Sequence, residues 1–435
     1  MRNYIDLAKS VTGGVVFKIG ALLVSLLISK WLFTNLETED LVVYFLGLSY
    51  LGLILQPLSF GVYSLIQKFY TNEQYKTQLP QIWTTINLFR LVTFIFALIL
   101  VLAGYPLVNS FRPEHLPIVL LLFGSQILVE LDYHYRAVCN AKGNIWQFSL
   151  TDLINKLLVL MGLVGGVWLI STNQGLLFYL IILGFVNLVT LIIDATWQRA
   201  HTQWGCWNWQ LLKDHWPTMI FLGTSGLVVA AYENLDRLIL DYVHTPQELI
   251  TAYANVYTNV LDKAKIIVSL VIPTLASSFQ KALSNVQNQA ILRNISKRTN
   301  NKQKLKLLGL NLGIIFVVAL VTTLGTLTVA PIILKFIDSE QKYMLDGLTF
   351  TILVGSLLPY FLNMFLMIIL NLSSQEKTNL VIEISIFMLT IAGYLLAIPS
   401  LGPLGAAIVT FLNYLTSFVI RLIYYGIFLV KTQTA

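Results

Sequence analysis

About twelve apolar stretches, each near 20 residues long, cover this chain almost from end to end. A helix needs about 20 apolar residues to cross the roughly 30 Å of hydrocarbon in a bilayer. Only 11% of the residues are charged and 56% are hydrophobic, whereas soluble domains carry about 25% charged residues. The chain is therefore predicted to be an all-α polytopic membrane protein with short loops and no large soluble domain.

Short polar breaks separate the predicted spans, and prolines mark several of their ends. The spans are 11–33, 41–66, 82–103, 117–137, 148–170, 175–196, 217–240, 250–278, 307–334, 346–371, 379–399 and 403–429. The first span is longer than the apolar region of a signal peptide, which has about 7–15 residues. We therefore expect it to remain as the first helix.

The positions of lysine and arginine predict the orientation of the chain. Most of the basic loop residues fall in alternate loops, which is the pattern expected of cytoplasmic loops. With an even number of spans, both termini are predicted to be cytoplasmic. The net charge of +7 then reflects topology, and no nucleic-acid partner is expected. Cys139 and Cys206 fall in predicted cytoplasmic loops, where a disulfide is not expected.

The two halves of the sequence resemble each other. The segment from Asn140 to Asp152 and the segment from Asn371 to Glu383 have the same length, and in both an acid opens the next helix. The two segments lie six spans apart, as in a parallel repeat that forms two lobes with the substrate site between them. The sequence therefore predicts two six-helix lobes.

The predicted lobes are residues 1–200 and 217–435, joined by an interfacial linker at 201–216. The linker region carries five of the nine tryptophans: Trp197, Trp204, Trp207, Trp209 and Trp216. Because indole rings prefer the headgroup level of a membrane, the linker is predicted to lie on the inner leaflet. A second polar and basic segment, 279–306, is predicted to be a solvated or lipid-facing connection.

Several charged residues fall inside the apolar spans, where they cost about 2.5–3.5 kcal/mol each on insertion scales. Such side chains face a bundle interior or a water-filled cavity, so they are the candidates for function. They are Lys18, Arg90, Glu233, Asp236, Arg237, Asp262, Lys263 and Lys265.

Some of the charged residues have an opposite charge three or four positions away on the same helix, where the two can neutralise each other. The pairs are Glu233 with Arg237, Asp152 with Lys156, and Asp262 with Lys265. Glu233, Asp236, Arg237, Asp262, Asp152 and Lys156 are therefore assigned to possible gating or ion-pair roles.

The remaining cations predict a site for an anion. Lys18, Arg90 and Lys263 have no obvious acid on the same helix, and with Lys265 they are predicted to form a cationic cavity. Lysine binds phosphate as a point charge and arginine binds it as a bidentate fork, so a lipid-linked pyrophosphate fits. The sequence shows no Walker loop, no H-E-x-x-H and no G-x-S-x-G. We therefore expect a transporter that uses no cofactor and no metal, rather than an enzyme.

Three segments carry a resemblance to a known family. They are 8–54, the segment "NLDRLILDYVHTPQELITAYANVYTNV" at 234–260 with its Asp236–Arg237 pair, and "GPLGAAIVTFLNYL" at 402–415. Together they resemble the Wzx-type oligosaccharide flippases, the polysaccharide transporter branch of the MATE-like MOP exporter superfamily.

This resemblance implies two lobes of six helices in a bacterial cytoplasmic membrane. It implies alternating-access transport of undecaprenyl-pyrophosphate-linked oligosaccharide units for O-antigen, capsule or exopolysaccharide synthesis. The partners that it implies are the lipid-linked substrate, the bilayer, a polysaccharide polymerase and a chain-length regulator, with H⁺ or Na⁺ as a coupling ion.

Three other functions stay open at this point. A multidrug cation antiporter of the MATE type would need an unpaired carboxylate. A membrane enzyme of glycan assembly, such as a polymerase, would have larger outer loops than this chain has. A lipid II flippase would share the mechanism, but such proteins usually have more than twelve helices.

Overall fold

A computed structural model of the protein shows regular structure that is helical throughout the part of the chain it describes. The described residues are 2–71, 73–142, 144–166, 175–265, 297–373 and 375–431, with a few single residues between 272 and 283. The chain forms two compact units, Met1–Gln247 and Glu248–Ala435. We refer to these as unit 1 and unit 2.

Unit 1 consists mainly of long helices. Its α-helices are α1 (Arg2–Asn35), α2 (Thr38–Leu58), α3 (Val62–Thr71), α4 (Leu79–Gly104), α5 (Leu116–Ala141), α6 (Ile145–Gly166), α7 (Gly175–Trp197) and α8 (Trp209–Tyr242). Short 3₁₀ turns at Glu73–Gln78, Tyr105–Leu107 and Pro113–His115 connect some of them.

Unit 2 is also built from α-helices. They are α9 (Gln247–Val256), which continues into a π-helical turn at Tyr257–Leu261, then α10 (Lys297–Ile337), α11 (Gly347–Gly355), α12 (Leu357–Leu372), α13 (Glu376–Leu401) and α14 (Pro403–Lys431). Helix α10 is the longest of the described helices, at 41 residues.

Ten helical segments in the described ranges are long and apolar enough to cross a membrane, and each overlaps one of the predicted spans. The predicted seventh span, 217–240, lies inside α8. The predicted eighth span, 250–278, begins in α9, and most of its second half lies outside the described residues. The protein is a multi-pass membrane protein, as predicted. The cytoplasmic position of both termini stays a prediction.

Local sequence signals set several helix ends. Pro80 and Pro403 stand in the first turns of α4 and α14, where a missing N–H costs nothing and the fixed φ suits a helix. The Asn208 side chain accepts from the first free N–H groups of α8. Phe60 and Gly61, with φ of 47° and 62°, separate α2 from α3, since a left-handed backbone cannot continue a helix.

The helices of unit 1 pack as a bundle whose outer faces are apolar. Helix α1 runs along α6, α5 runs along α7, and α6 also contacts α5 and α7. Helix α2 packs against α8. Exposed side chains such as Ile95, Met161 and Phe185 face outward, as expected where lipid replaces water as the solvent. The polar side chains of α1, α5, α6 and α7 therefore converge inside the unit.

Unit 2 packs around its last helix. Helix α14 contacts α11, α12 and α13, and α10 packs against α12. Apolar side chains such as Ile332 and Leu396 are exposed on the outer faces. This bundle also encloses polar side chains, which are described below.

The segment between α7 and α8 exposes several tryptophans. Trp204, Trp207 and Trp209 are all exposed, and the rings of Trp207 and Trp209 stack with centroids 6.2 Å apart. The placement of this linker on the inner leaflet and the division of the chain at 201–216 into two six-helix lobes stay predictions.

Candidate functional site

A polar chamber of about 250 Å³ lies inside unit 1, between α2, α5, α6 and α7. Its charged lining residues are Asp132, Arg136, Asp152 and Lys156. All four belong to helices that are long and apolar enough to span a membrane. The chamber therefore gathers ionisable groups on helices that can cross a membrane, where such groups usually face a partner or water.

Helix periodicity brings these groups to one place. Asp132 and Arg136 are four residues apart on α5, and Asp152 and Lys156 are four residues apart on α6. Residues at this spacing lie on the same helix face. Since α5 and α6 are neighbours, their polar faces meet at the chamber.

Arg136 holds the chamber walls together. Its Nε donates to Asp132 Oδ2 over 2.6 Å, and its Nη1 donates to Asp152 Oδ1 over 2.5 Å. Asp194 Oδ2, on α7, lies 4.0 Å from the same Nε. One guanidinium therefore contacts carboxylates from three helices, which its several fixed N–H donors allow.

Lys18 brings α1 into this network. Its ammonium donates to Asp152 Oδ2, so Asp152 is paired with both Lys18 and Arg136. Lys18 also lies over the Phe148 ring, 5.4 Å from its centroid. The side chains of Lys18 and Asp152 are 22% and 20% exposed, so this end of the network is not fully enclosed by protein.

Two carboxylates in the network are only partly satisfied. The Thr151 hydroxyl donates to Asp194 Oδ1 over 2.7 Å. Among the described residues, Asp194 Oδ2 and Asp132 Oδ1 are buried and receive no hydrogen bond. The two side chains are 1% and 4% exposed. Buried polar atoms without a partner are rare in proteins, so this pair needs a physical explanation.

Among the described residues, Lys156 is the chamber cation for which no hydrogen bond or ion pair is seen. It lines the chamber one turn after Asp152. In the described part of the chain, no carboxylate or hydrogen-bond acceptor lies within contact distance of its ammonium. Asp152, its expected partner, instead binds Lys18 and Arg136. The Lys156 ammonium is therefore available to a ligand.

Neutral polar groups complete the lining. The hydroxyl oxygens of Tyr44 and Tyr179 are 3.2 Å apart. Asn155 Nδ2 donates to Asn187 Oδ1 over 2.9 Å, and Asn187 Nδ2 donates to Ser125 Oγ over 2.8 Å. Hydroxyl and amide groups both donate and accept hydrogen bonds. The chamber thus combines charged side chains with neutral hydrogen-bonding groups.

Comparison with solved structures identifies the fold. The chain superposes with a TM-score of 0.74 on an inward-facing multidrug resistance MATE family transporter of the MOP superfamily, at 12% identity, covering 98% of this chain and 100% of that one. A MOP superfamily transporter from Pyrococcus furiosus gives a TM-score of 0.64 at 10% identity, with 98% and 96% of the two chains covered. The Vibrio cholerae MATE transporter VcmN gives 0.60 at 14% identity, with 99% and 98% covered.

The chain has the MATE fold. The prediction of an all-α membrane protein with a MATE-like architecture is confirmed. No protein-family model and no curated protein matches the sequence. At identities of 10–14%, the likeness defines the fold, and the function has to be argued from the residues of this chain.

The structure places the predicted site residues in several regions of the MATE fold. Lys18, Asp152 and Lys156 come together at the chamber. Arg90 does not: it is 1% exposed and donates to Glu130 Oε2 over 2.8 Å and to the Leu58 carbonyl over 2.6 Å. Arg90 therefore ties α4 to α5 and to the end of α2.

The charged residues predicted in the seventh span form a local cluster in α8. The Arg237 guanidinium donates to the Glu233 carbonyl and to Asn234 Oδ1, and its Nε lies 3.7 Å from Asp236 Oδ1. Asp236 also accepts from the backbone N–H of Arg237 over 2.8 Å. The charged groups of this cluster therefore contact partners within about one turn of the same helix.

The two lysines predicted in the eighth span lie in unit 2. Lys263 donates to Asn259 Oδ1 over 2.8 Å. Lys265 lies 3.3 Å from Asp262 Oδ1, the predicted i,i+3 partner, and its ammonium is 4.5 Å from the centroid of the Tyr257 ring. Both lysines thus have partners close by in sequence.

Unit 2 contains a second ionic network, which the sequence analysis missed. Arg421 of α14 donates from Nε to Asn379 Oδ1 over 2.8 Å and from Nη1 to Asn363 Oδ1 over 2.6 Å and to the Ser417 hydroxyl. Its Nη2 lies 3.2 Å from Glu383 Oε1. Arg421 and Glu383 are 1% and 2% exposed. The guanidinium is therefore fully enclosed by protein.

Sequence reasoning also missed Arg136, Asp132 and Asp194. Each lies inside a predicted span, as do Glu383 and Arg421. Arg136 stands next to the end of its predicted span, whereas α5 continues through Ala141. A complete inventory of charged residues within the apolar spans would have found all five.

Proposed function

We propose that the protein is a membrane transporter that works as a flippase. Its substrate is an undecaprenyl-pyrophosphate-linked oligosaccharide, carried across a bacterial cytoplasmic membrane by alternating access for O-antigen, capsule or exopolysaccharide synthesis. The MATE fold supports the transporter part, since neighbours with this fold are described in inward-facing and outward-facing conformations. The structural neighbours compared above are described as transporters.

The Lys156 ammonium carries the substrate part of the proposal. It lines a polar chamber between helices that can cross a membrane and, among the described residues, has no protein acceptor. A charge in such a place is costly unless a counter-charge or water meets it. A pyrophosphate group supplies that counter-charge, and the amides and tyrosine hydroxyls nearby suit the attached sugar.

A multidrug cation antiporter is the second candidate, because several structural neighbours are multidrug resistance transporters. The buried carboxyls of Asp132 and Asp194 favour it. Against it, Asp152 already binds two cations and Asp132 binds Arg136. The Pyrococcus furiosus neighbour is described as having a binding pocket of reverse polarity that suggests a different function, so this fold accommodates pockets of either charge.

Transport by purified protein tests the proposal. Wild type and the variants Lys156→Gln, Lys156→Arg and Lys213→Gln would be reconstituted in liposomes with a fluorescent lipid-linked pyrophosphoryl sugar. Lys213 is exposed on the segment that begins α8 and serves as the matched control. The initial rate of flipping measures the contribution of the ammonium.

We expect Lys156→Gln to flip about tenfold or more slowly, because a hydrogen bond to a charged group contributes about 1.5–3 kcal/mol. Lys156→Arg should keep much of the rate, and Lys213→Gln should match wild type. A Lys156→Gln variant that flips at the wild-type rate would refute the site. Export of a cationic dye without any flipping of the lipid would favour the antiporter.

A further inference from the structure

The segment between the end of α7 and the first turns of α8 carries tryptophans on its outer surface. Trp197, Trp204, Trp207, Trp209 and Trp216 are between 40% and 64% exposed. An indole has an apolar body and one polar N–H, so it is favoured where hydrocarbon meets lipid headgroups. These exposed rings therefore form a surface that suits the edge of a lipid leaflet better than bulk water.

The backbone of this segment is held against α3 and α4. The Tyr70 hydroxyl of α3 donates to the His201 carbonyl over 2.9 Å. The backbone N–H of Gly205 donates to the Thr84 hydroxyl of α4 over 2.7 Å. A Cβ at Gly205 would lie 2.9 Å from the α4 backbone, so the two chains approach as closely as glycine allows. The tryptophans are therefore displayed by a positioned segment.

A groove of about 640 Å³ lies beside the end of α7, and Arg199 is one of its lining residues. Trp197 and Trp204 also line it, with the polar side chains of Thr202 and Gln203. The Arg199 side chain is exposed, and among the described residues its guanidinium shows no hydrogen bond or ion pair. A guanidinium binds phosphate through two parallel N–H bonds. The groove thus combines a free phosphate-binding fork with two indole rings.

Other cations lie at the same end of unit 1. The ends of α3, α5 and α7 meet there, because Tyr70 contacts His201 and because Gln198 Nε2 lies 2.8 Å from Cys139 Sγ. The exposed cations at this end are Lys68, Lys142, Arg199 and Lys213. Basic residues next to a membrane are attracted to anionic lipid. The charge of this end therefore favours an anionic lipid over a zwitterionic one.

We propose that the groove binds the headgroup of an anionic phospholipid. Arg199 contacts the phosphate, and the rings of Trp197 and Trp204 lie at the level of the glycerol. A free phosphate would use the guanidinium but leave the exposed indoles in water, whereas a phospholipid uses both. The groove and the polar chamber share no lining residue, so this site does not depend on the substrate proposed for the chamber.

Lipid binding by the delipidated, full-length protein in detergent tests the site. Native mass spectrometry would count phosphatidylglycerol and phosphatidylcholine bound to wild type, Arg199→Gln and Lys142→Gln. Lys142 is an exposed cation at the same end that does not line the groove, so it is the matched control. We expect wild type and Lys142→Gln to prefer phosphatidylglycerol equally, and Arg199→Gln to bind it about tenfold more weakly.

The outcomes distinguish the sources of the phosphate. Equal binding of phosphatidylglycerol by wild type and Arg199→Gln would overturn the site, as would an equal loss in Lys142→Gln, which would show diffuse attraction only. Displacement of the lipid by an equal concentration of inorganic phosphate would identify a free-phosphate site instead. Preferential binding of undecaprenyl pyrophosphate over phosphatidylglycerol would overturn the proposal in favour of an entry site for a lipid-linked substrate.

Tryptophan emission in nanodiscs tests the contact between the lipid and the indoles. The difference between wild type and Trp204→Phe isolates the emission of Trp204, whose 64% exposure makes the replacement compatible with folding. We expect brominated phosphatidylglycerol to quench this emission more than brominated phosphatidylcholine at the same mole fraction, and Arg199→Gln to abolish the preference. Equal quenching by the two lipids in wild type would show contact with the bilayer but no headgroup site.

Discussion

Units 1 and 2 each hold an ionic network around an acid that the predicted repeat places at the same position. In unit 1 the acid is Asp152, which binds Lys18 and Arg136. In unit 2 it is Glu383, which binds Arg421. The Arg421 and Glu383 side chains are 1% and 2% exposed, whereas those of Lys18 and Asp152 are 22% and 20% exposed. One network is enclosed and the other opens on a chamber.

The difference extends to the neighbouring helix. Asp132 precedes Asn140 by the same number of residues as Asn363 precedes Asn371. Asn363 gives Arg421 a neutral acceptor, while Asp132 gives Arg136 a second carboxylate. Unit 2 therefore satisfies one cation with one acid and several neutral groups. Unit 1 gathers additional charges of both signs, which is the arrangement expected of a working site rather than a structural one.

The largest effect is expected from Arg421→Ala in unit 2. Removing the guanidinium takes the charged donor away from the buried Glu383 carboxylate and from the side chains of Asn363 and Asn379. Breaking a buried ion pair from one side costs about 3–5 kcal/mol. Unfolding in detergent should show a loss of that size. Arg112→Ala, which removes a pair whose arginine is 59% exposed, is the control and should cost about 1 kcal/mol or less.

An intermediate effect on stability is expected from Asp152→Asn in unit 1. The Lys18 side chain is 22% exposed and Arg136 keeps Asp132, so the free energy of unfolding should fall by only about 1–3 kcal/mol. The rate of flipping should fall by a larger factor than the amount of folded protein. Glu383→Gln is the matched variant at the repeated position, and its loss of flipping should follow its loss of folded protein. Equal behaviour of the two variants would remove the distinction between the units.

The smallest effect is expected at the start of α11. The Asp346 side chain accepts from the N–H groups of Leu348 and Thr349, at 3.1 and 2.9 Å. Hydrogen bonds from Thr349 and from the backbone N–H of Leu348 lower the pKa of Asp346 from its ordinary value. A lowered pKa adds stability that is present above the ordinary value, near 4, and is lost as pH falls through the folded value.

Unfolding of wild type and Asp346→Asn as a function of pH tests this sign. Asparagine still caps the helix but does not titrate, so the wild type alone should lose this increment below about pH 4. Asp346→Ala should cost about 1 kcal/mol at neutral pH. Parallel curves for wild type and Asp346→Asn in acid would contradict the assignment.

Much of the fold follows from the sequence, because membrane spans are encoded locally. Ten predicted spans coincide with membrane-length helices, since a run of apolar residues forms a helix wherever it meets lipid. The prolines near the starts of α4 and α14 also predicted where these helices begin. The separation of α2 from α3 at Phe60 and Gly61 was not predicted, because neither residue interrupts the apolar run.

The site was harder to predict, because it depends on contacts between helices distant in sequence. The spacing of Asp152 and Lys156 suggested a pair on one helix, but Lys18, 134 residues away, binds Asp152 instead. That exchange leaves Lys156 facing the chamber. Arg90 appeared to lack an acid because Glu130 lies on another helix. Same-helix spacing indicates which charges are able to pair, and the packing of helices decides which do.

Pyrophosphate binding to Lys156 variants tests the central claim most directly. The protein in nanodiscs would be titrated with inorganic pyrophosphate for wild type, Lys156→Gln, Lys156→Arg and Lys377→Gln, the last being an exposed lysine of unit 2. The account predicts that Lys156→Gln binds about tenfold or more weakly, while Lys156→Arg and Lys377→Gln stay near wild type. Equal binding by wild type and Lys156→Gln would contradict an anion site in the chamber of unit 1.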